Sequence, residues 1–178
     1  VSSILERLNF LELDFAIVDG MVNDQNYSSH LLTIDELILI VAKNHRFAMM
    51  QEVTWDMIRE ENLILRHKKA NTRDLIENFL ESNLDNISNY RVILEVDNTS
   101  LIRHLVRDNH GISFVSKSIC KNDLENGLLK EVKIKGFQLK RGVYLIHQKR
   151  MDKDLLIKDI LSLRDLFTDY DFSLKQIE

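Results

Sequence analysis

Short apolar runs alternate with amphipathic helical segments along the chain, and this alternation most constrains the fold. Three runs contain few polar residues, as expected of strands buried on both faces: DFAIVDG at 14–20, LILR at 63–66 and GISFVS at 111–116. The clearest helical segment, at 71–83, places its large apolar residues on one face: Leu75, Ile76, Phe79 and Leu80. Strands alternating with helices predict an α/β fold, and the continuous apolar runs predict largely parallel sheets.

The same patterns predict the remaining elements. Helices are expected at 2–13, 53–62, 71–83, 99–109, 117–126 and 152–167, and strands at 14–20, 37–41, 63–66, 90–96, 111–116, 128–134 and 141–148. Polar residues 23–30 are expected to form a loop. We expect Thr54 to cap the second helix and Gly111 to end the fourth. The residues expected to face inward from the last helix are Leu155, Leu156, Ile160, Leu163 and Phe167.

Composition narrows the class of protein. Of the 178 residues, 44% are hydrophobic and 29% are charged, which is typical of a globular domain. The net charge of −4 argues against a domain that binds nucleic acid, because such domains are usually basic. No apolar stretch approaches the roughly 20 residues that span a bilayer, and no signal peptide opens the sequence. Because the only cysteine, Cys120, has no partner for an internal disulfide, we expect a reducing, cytoplasmic compartment.

Polar residues cluster where predicted strands meet predicted helices. In parallel sheets, ligands bind outside the carboxyl ends of strands, where helix N-termini converge. Three such junctions are Asp19-Gly20, residues 66–73 and residues 97–100. The segment RHKKANTR at 66–73 carries four cations and no acid just before a helix, whose N-terminus favours anions.

Helix capping is the alternative explanation for these polar residues. Asn71 or Thr72 would cap the helix at 71–83 while the lysines stay solvated, and one residue among 98–100 would cap the next helix. Capping uses one side chain, so the neighbouring hydroxyls remain free to bind a ligand. Both explanations remain open from the residues alone.

Motifs for catalysis, metals and cofactors are missing from the sequence. It contains no glycine-rich phosphate loop, no convincing Cys–His pair and no two histidines at metal-ligand spacing. The six histidines are scattered. We therefore expect no enzyme activity, no cofactor and no metal site.

The order of these segments resembles the effector-binding domain of LysR-type transcriptional regulators. The segments that carry the resemblance are SSILERLNFLELDFAIVDG, LILRHKKANTRDLIENFL, VDNTSLIRHLVRDNHGISFVSKSI and RGVYLIHQKR. The resemblance implies a two-lobed, periplasmic-binding-protein-like (type 2) α/β fold that the chain crosses twice, with an effector between the lobes. Mapped onto this sequence, lobe I comprises 1–65 plus 141–178 and lobe II comprises 66–140. The first strand and helix of lobe I and the N-terminal DNA-binding domain are expected to be missing from the sequence.

The resemblance also implies which residues contact the effector. The matching positions are Asn71 and Thr72 after the first crossover, Asn98 and Thr99 before the next helix, and Arg66. Arg66 matches an arginine of the family subgroup whose members carry a Gly-Ser-Gly-Thr-Arg-like stretch. This sequence departs from that stretch at Ala70-Asn71, where the subgroup has two small residues. Together with the junctions above, the predicted effector-binding set is Asp19, Gly20, Arg66, Asn71, Thr72, Arg73, Asn98, Thr99 and Ser100.

The leading hypothesis is an effector-sensing domain that binds a small anion through hydroxyls of Thr72 and Thr99 and charge from Arg66 or Arg73. Its partners would be the effector, a second copy in a homodimer, and DNA only through the missing domain. The helices at 2–13 and 99–109 would offer apolar faces for the dimer. The alternatives are a solute-binding protein of a transporter and a two-lobed enzyme, which would need a perturbed acid or base pair.

Overall fold

The computed structural model describes residues 2–68, 70–149 and 154–162. Its helices are α1 (Ser2–Asn9), α2 (Trp55–Arg59), α3 (Asn71–Ser82), α4 (Thr99–Arg107), α5 (Lys117–Glu125) and α6 (Asp154–Ser162). Its strands are β1 (Phe15–Asp19), β2 (Tyr27–Ala42), β3 (Leu63–Arg66), β4 (Val92–Val96), β5 (Ser113–Ser116), β6 (Leu129–Val132) and β7 (Leu139–Gln148). No helix in these ranges is long and apolar enough to cross a membrane.

The chain divides into two compact units. Unit 1 takes its described residues from 1–35 and 140–170, and unit 2 takes its described residues from 36–139. The chain therefore passes from unit 1 to unit 2 within β2 and returns at the start of β7. The sequence placed 36–65 in the first lobe instead. These residues belong with unit 2 because β3, within this range, pairs with β4 of that unit.

Unit 1 is built around β1, β7 and the first part of β2, with β7 in the middle. β1 runs antiparallel to β7, from Phe15 opposite His147 to Asp19 opposite Val143. Two small apolar clusters cover the strands. One joins Leu8 of α1 to Val18, Tyr27 and Ile146, and the other joins Leu32 and Leu145 to Ile157 of α6.

Unit 2 contains parallel and antiparallel pairs. β3 is parallel to β4, with Arg66 opposite Val96. The amide of Ile64 donates to the carbonyl of Ile112, which places the chain leading into β5 on the other side of β3. β5 and β6 both pair antiparallel with the second part of β2. The carboxyl ends of β3, β4 and β5 therefore point the same way.

The core of unit 2 contains an aromatic cluster around Trp55. The indole stacks on Phe79 of α3 at 5.5 Å and on Phe114 of β5 at 5.7 Å between ring centroids. Phe137 meets both Trp55 and Phe114 edge-on. Ile76 and Leu80 turn the apolar face of α3 toward this core, as its sequence pattern predicted.

The expectation of largely parallel sheets is wrong. β1 runs antiparallel to β7, and both β5 and β6 run antiparallel to β2. Among the described strands, β3 with β4 is the regular parallel ladder. A continuous apolar run indicates that a strand is buried on both faces, which holds for Leu37 to Ala42. Burial does not determine strand direction, because antiparallel strands covered on both faces give the same pattern.

Element boundaries differ in three places. Residues 27–30 belong to β2 and not to a loop, and the hydroxyl of buried Tyr27 anchors them by donating to the carbonyl of Leu5. α1 ends at Asn9, before the expected end at residue 13, and Leu11 within the expected range is exposed. In α6, Ile157 is buried whereas Leu156 is exposed. The expected inward residues Leu163 and Phe167 lie outside the described ranges, and nothing is described of the side chain of Leu155.

The capping predictions had mixed outcomes. Thr54 caps α2, as expected, by accepting from the amide of Met57. Gly111 does not terminate α4, because Asn109 takes the left-handed position with φ 61°. Gly111 is instead required by space, since a Cβ there would lie 2.6 Å from the carbonyl oxygen of Asn62.

A half-buried carboxylate, that of Asp85, ties α2 to the turn that precedes β4. Asp85 accepts from the guanidinium of Arg59 at 2.7 Å and from the hydroxyl of Tyr90 at 2.6 Å. Burial alone would raise the pKa of Asp85. Hydrogen bonds from Tyr90, Asn89, Arg59 and the amide of Asn86 together outweigh this effect and hold the pKa of Asp85 below its usual range.

Asp85→Asn is expected to lower the free energy of unfolding by roughly 1–3 kcal/mol at pH 7, because it leaves part of a half-buried network unpaired. A depressed folded-state pKa contributes stability above the unfolded-state pKa of about 3.9 and loses it as pH falls further. The difference between wild type and variant should therefore be constant from about pH 7 to 5 and shrink below about pH 4. Urea unfolding of both proteins at a series of pH values measures this difference in the free energy of unfolding. Asp56→Asn, which removes the exposed partner of the same Arg59, should have little effect, and equal effects would contradict the assignment.

Candidate functional site

The carboxyl ends of β3 and β4 bring two strand–helix junctions together in unit 2. Because the strands are parallel and paired, Arg66 ends β3 beside Val96, which ends β4. The next residues are joined directly, since Nε2 of His67 lies 2.6 Å from Oδ1 of Asp97. We call this region, with the N-termini of α3 and α4 that follow it, the carboxyl edge. The arrangement is the one in which α/β sheets bind ligands.

At the start of α4, Asn98 acts as the cap. Its Oδ1 accepts from the amides of Ser100 at 2.8 Å and Leu101 at 3.3 Å. The hydroxyl of Ser100 accepts from Arg103. Thr99 is half-buried, and its side chain forms no hydrogen bond within the described part of the chain. Capping thus accounts for Asn98 and leaves the hydroxyl of Thr99 available.

At the start of α3, no side chain acts as the cap. The N-cap position belongs to Ala70, whose side chain cannot accept a hydrogen bond. The expectation that Asn71 or Thr72 caps this helix is therefore wrong, because the helix begins at Asn71, one residue too early for a cap at Asn71 and two residues too early for a cap at Thr72. Among the described residues, the side chains of Asn71 and Thr72 have no hydrogen-bond partner.

The two arginines of this region have different environments. Arg73 is 3% exposed; its Nε donates to Glu77 at 2.6 Å, and an Nη lies 3.5 Å from Glu95. It lines a groove of about 460 Å³ together with these two carboxylates and Tyr90. Arg66 is half-buried and forms no ion pair or side-chain hydrogen bond to any described residue, and its Nε is fully covered without a partner. Charge is therefore available from Arg66, whereas that of Arg73 is neutralised.

A third junction at this edge was missed in the sequence. Ser116 ends β5, which runs in the same direction as β3, and it occupies the N-cap position of α5 without a capping hydrogen bond from its side chain. Its hydroxyl is buried and lies 2.8 Å from that of Ser118. The available signal was a serine closing the apolar run GISFVS immediately before a helical segment.

The remaining two predicted residues lie in unit 1. Asp19 ends β1, and its Oδ2 is 2.8 Å from a guanidinium nitrogen of Arg141. Gly20 follows with φ 85°, a left-handed conformation that glycine adopts without strain, and its amide donates to the carbonyl of Gly142. Seven of the nine predicted residues thus belong to unit 2 and two to unit 1.

The chemistry of the carboxyl edge suits a small anion. Within the described chain, it combines the unpaired guanidinium of Arg66, free hydroxyl donors and the amides of Asn71, Thr72 and Thr99, which form no hydrogen bond. Within the described ranges, no three histidine, cysteine, aspartate or glutamate side chains are arranged to hold a metal ion.

Comparisons with known proteins agree with this architecture. The probable RuBisCO transcriptional regulator of Guillardia theta is 28% identical over 159 residues, which cover 85% of this chain and 51% of that protein. The HTH-type transcriptional regulator CysL of Bacillus subtilis is 23% identical over 147 residues, which cover 83% of this chain and 48% of CysL. The chain thus spans about half the length of the curated relatives it matches.

Solved structures show the same fold. The CcmR regulatory domain of Synechocystis PCC6803, in complex with 2-PG, aligns with a TM-score of 0.77 at 20% identity, over 93% of this chain and 78% of that one. The effector-binding domain of QuiR in complex with shikimate aligns with a TM-score of 0.72 at 22% identity, over 90% and 76%. This likeness confirms the predicted periplasmic-binding-protein-like α/β fold. The family model described as the LysR substrate binding domain matches residues 1–163, and the chain therefore belongs to that family.

Proposed function

We propose that the chain is the effector-sensing domain of a LysR-type transcriptional regulator and that it binds a small anion at the carboxyl edge of unit 2. The family match and the curated relatives, which are transcriptional regulators, support the regulatory role over a transporter's solute-binding protein. The two structural neighbours named above were solved with small molecules, which supports a small effector. DNA would be read by a helix-turn-helix domain outside this chain.

The unpaired guanidinium of Arg66 carries the anion proposal. Its Nε is fully covered and has no partner in the described chain, which is costly for a charged group unless a ligand supplies one. An oxyanion there would also accept from the hydroxyls of Thr72 and Thr99 and from the amides of Asn71, Thr72 and Thr99, which have no partner in the described chain. Charge-assisted hydrogen bonds of this kind contribute roughly 1.5–3 kcal/mol each. Effector binding changes transcription only if the anion binds one conformation of the regulator more tightly than another.

Partners and location complete the proposal. We propose a homodimer in the cytoplasm, with no cofactor. α1 and α4 remain the proposed dimer helices, and because Leu8, Ile102 and Val106 are buried in the cores of their own units, the contacts would come from the exposed faces of these helices. Light scattering at high concentration tests the dimer.

Calorimetric titration tests the anion proposal. Inorganic phosphate, sulfate and glycolate, at low ionic strength, are expected to bind the wild type, whereas glucose is not. Thr99→Ala should weaken phosphate binding by roughly 5- to 30-fold, because a hydroxyl donor to a charged group is lost. Thr99→Ser keeps the hydroxyl, so its phosphate affinity should stay close to that of the wild type. Both variants keep the cap at Asn98, so α4 should fold normally.

Two results would contradict the proposal. The first is binding of glucose without binding of any of the three anions. The second is anion affinity that is the same in the wild type and in Thr99→Ala.

A further inference from the structure

Arg141 of β7 lies in unit 1 between two carboxylates, one on each of the neighbouring strands β1 and β2. Its Nε and one Nη donate to Oδ2 of Asp35 in β2, at 3.3 Å and 3.2 Å. Its other Nη, Nη1, lies 2.8 Å from Oδ2 of Asp19 in β1. The cluster therefore holds one cation and two anions within its side chains.

The two carboxylates hold Arg141 in different ways. The side chain of Asp35 is 6% exposed, so it is a buried anchor that needs the arginine. The side chain of Asp19 is 40% exposed, and although Nη1 is near it, the geometry is not that of a hydrogen bond. Nη1 is fully covered and has no hydrogen-bond partner in the described chain. Asp19 is thus a close but poorly aligned partner.

The position of the cluster also points to a ligand. Asp19 is the last residue of β1, and the following Gly20 is tied to Gly142, the residue after Arg141, by a main-chain hydrogen bond of 2.9 Å. This bond holds the backbone at the end of β1 against β7, so the carboxylate of Asp19 can swing aside without the strand end moving. A donor nitrogen of Arg141 would then be open at the carboxyl end of a strand.

We propose that Arg141 is a shielded anion-binding arginine and that Asp19 is a built-in competitor that occupies its place until an anion displaces it. The proposal rests on the proposed function, because the displacing anion belongs to the same effector class. Asp35 keeps the guanidinium in position throughout. The expectation that Asp19 binds the effector is thereby replaced by the opposite role, in which Asp19 lowers anion affinity.

Titration with inorganic phosphate separates the two roles. Asp19→Asn is expected to bind phosphate roughly two- to five-fold more tightly than wild type, which is the effect of removing one partly exposed ionic competitor. Arg141→Lys, which keeps the charge but loses the planar fork, should bind more weakly than wild type. Asp24→Asn changes the net charge equally at an exposed turn in unit 1 and should leave affinity unchanged. A variant that merely damaged the fold would not bind more tightly.

The outcomes distinguish this inference from the proposed function. Phosphate binding that depends on Thr99, with Asp19→Asn unchanged or weakened, overturns the role of Asp19 and leaves the proposed function standing. Equal tightening in Asp19→Asn and Asp24→Asn would show a general charge effect and also overturn it. If neither wild type nor any variant binds an anion, both proposals are wrong.

Discussion

Replacing Phe114 by alanine should lower the free energy of unfolding of unit 2 by about 3–5 kcal/mol. The ring is 1% exposed in the middle of β5 and lies between Trp55 and Phe137. Removing it loses the buried apolar surface and leaves a cavity lined by rigid rings, which cannot collapse fully. The loss is a large part of the roughly 5–15 kcal/mol by which domains are stable.

The fluorescence of Trp55 measures this effect, because it is the only tryptophan of the chain and it touches Phe114 directly. Urea unfolding followed at this indole reports on unit 2 alone, which avoids assuming that both units unfold together. Met49→Ala is the control, since Met49 is in the same unit and 92% exposed, and it should change stability by less than about 0.5 kcal/mol. A loss below about 1 kcal/mol for Phe114→Ala would contradict the packing described for this core.

Arg66→Ala is expected to weaken phosphate binding by roughly 10- to 100-fold, the cost of one or two charge-assisted hydrogen bonds. The fold should be unaffected, because Arg66 forms no ion pair or side-chain hydrogen bond with any other described residue. The phosphate affinity of Arg66→Lys should lie between those of the wild type and Arg66→Ala, since an ammonium supplies charge without the planar pair of donors.

Arg107→Ala is the matched control for Arg66→Ala. It removes an exposed arginine from the last turn of α4, at the opposite end of that helix from Thr99. Phosphate affinity should stay within about two-fold of wild type, as expected of a screened surface charge. Equal losses in both variants would mean that phosphate senses net charge and has no dedicated contact with Arg66.

Local sequence patterns predicted the parts of the fold that depend on neighbouring residues. Thr54 and a residue among 98–100 were identified as caps, because a cap requires only a short polar side chain two or three residues before a free amide. The apolar face of α3 followed from helical spacing. Strand direction did not, because it depends on which strands meet in the folded chain.

The candidate site shows the same limit. Arg66 and Arg73 flank one cationic segment, and in the sequence the helical spacing of Glu77 from Arg73 and the position of Arg66 at a strand end are the features that separate them. They differ because Glu95, on a different strand, lies against Arg73, whereas no carboxylate faces Arg66 in the described chain. Asp19 was recognised as the end of a strand, but its neighbour Arg141 is distant along the chain. Gly111 was predicted to end a helix. The position in fact requires glycine because the carbonyl oxygen of Asn62 leaves no room for a Cβ.

The most direct test of the anion site is an NMR titration of the protein with inorganic phosphate. The backbone amides of Asn71, Thr72 and Thr99 and the Nε–H resonance of Arg66 are recorded as phosphate is added. We expect these signals to shift together along one saturable binding curve, because they belong to the two helix N-termini and the unpaired guanidinium of the carboxyl edge. Saturable phosphate binding that leaves these resonances in place, or moves only signals remote from α3, α4 and Arg66, would contradict the account.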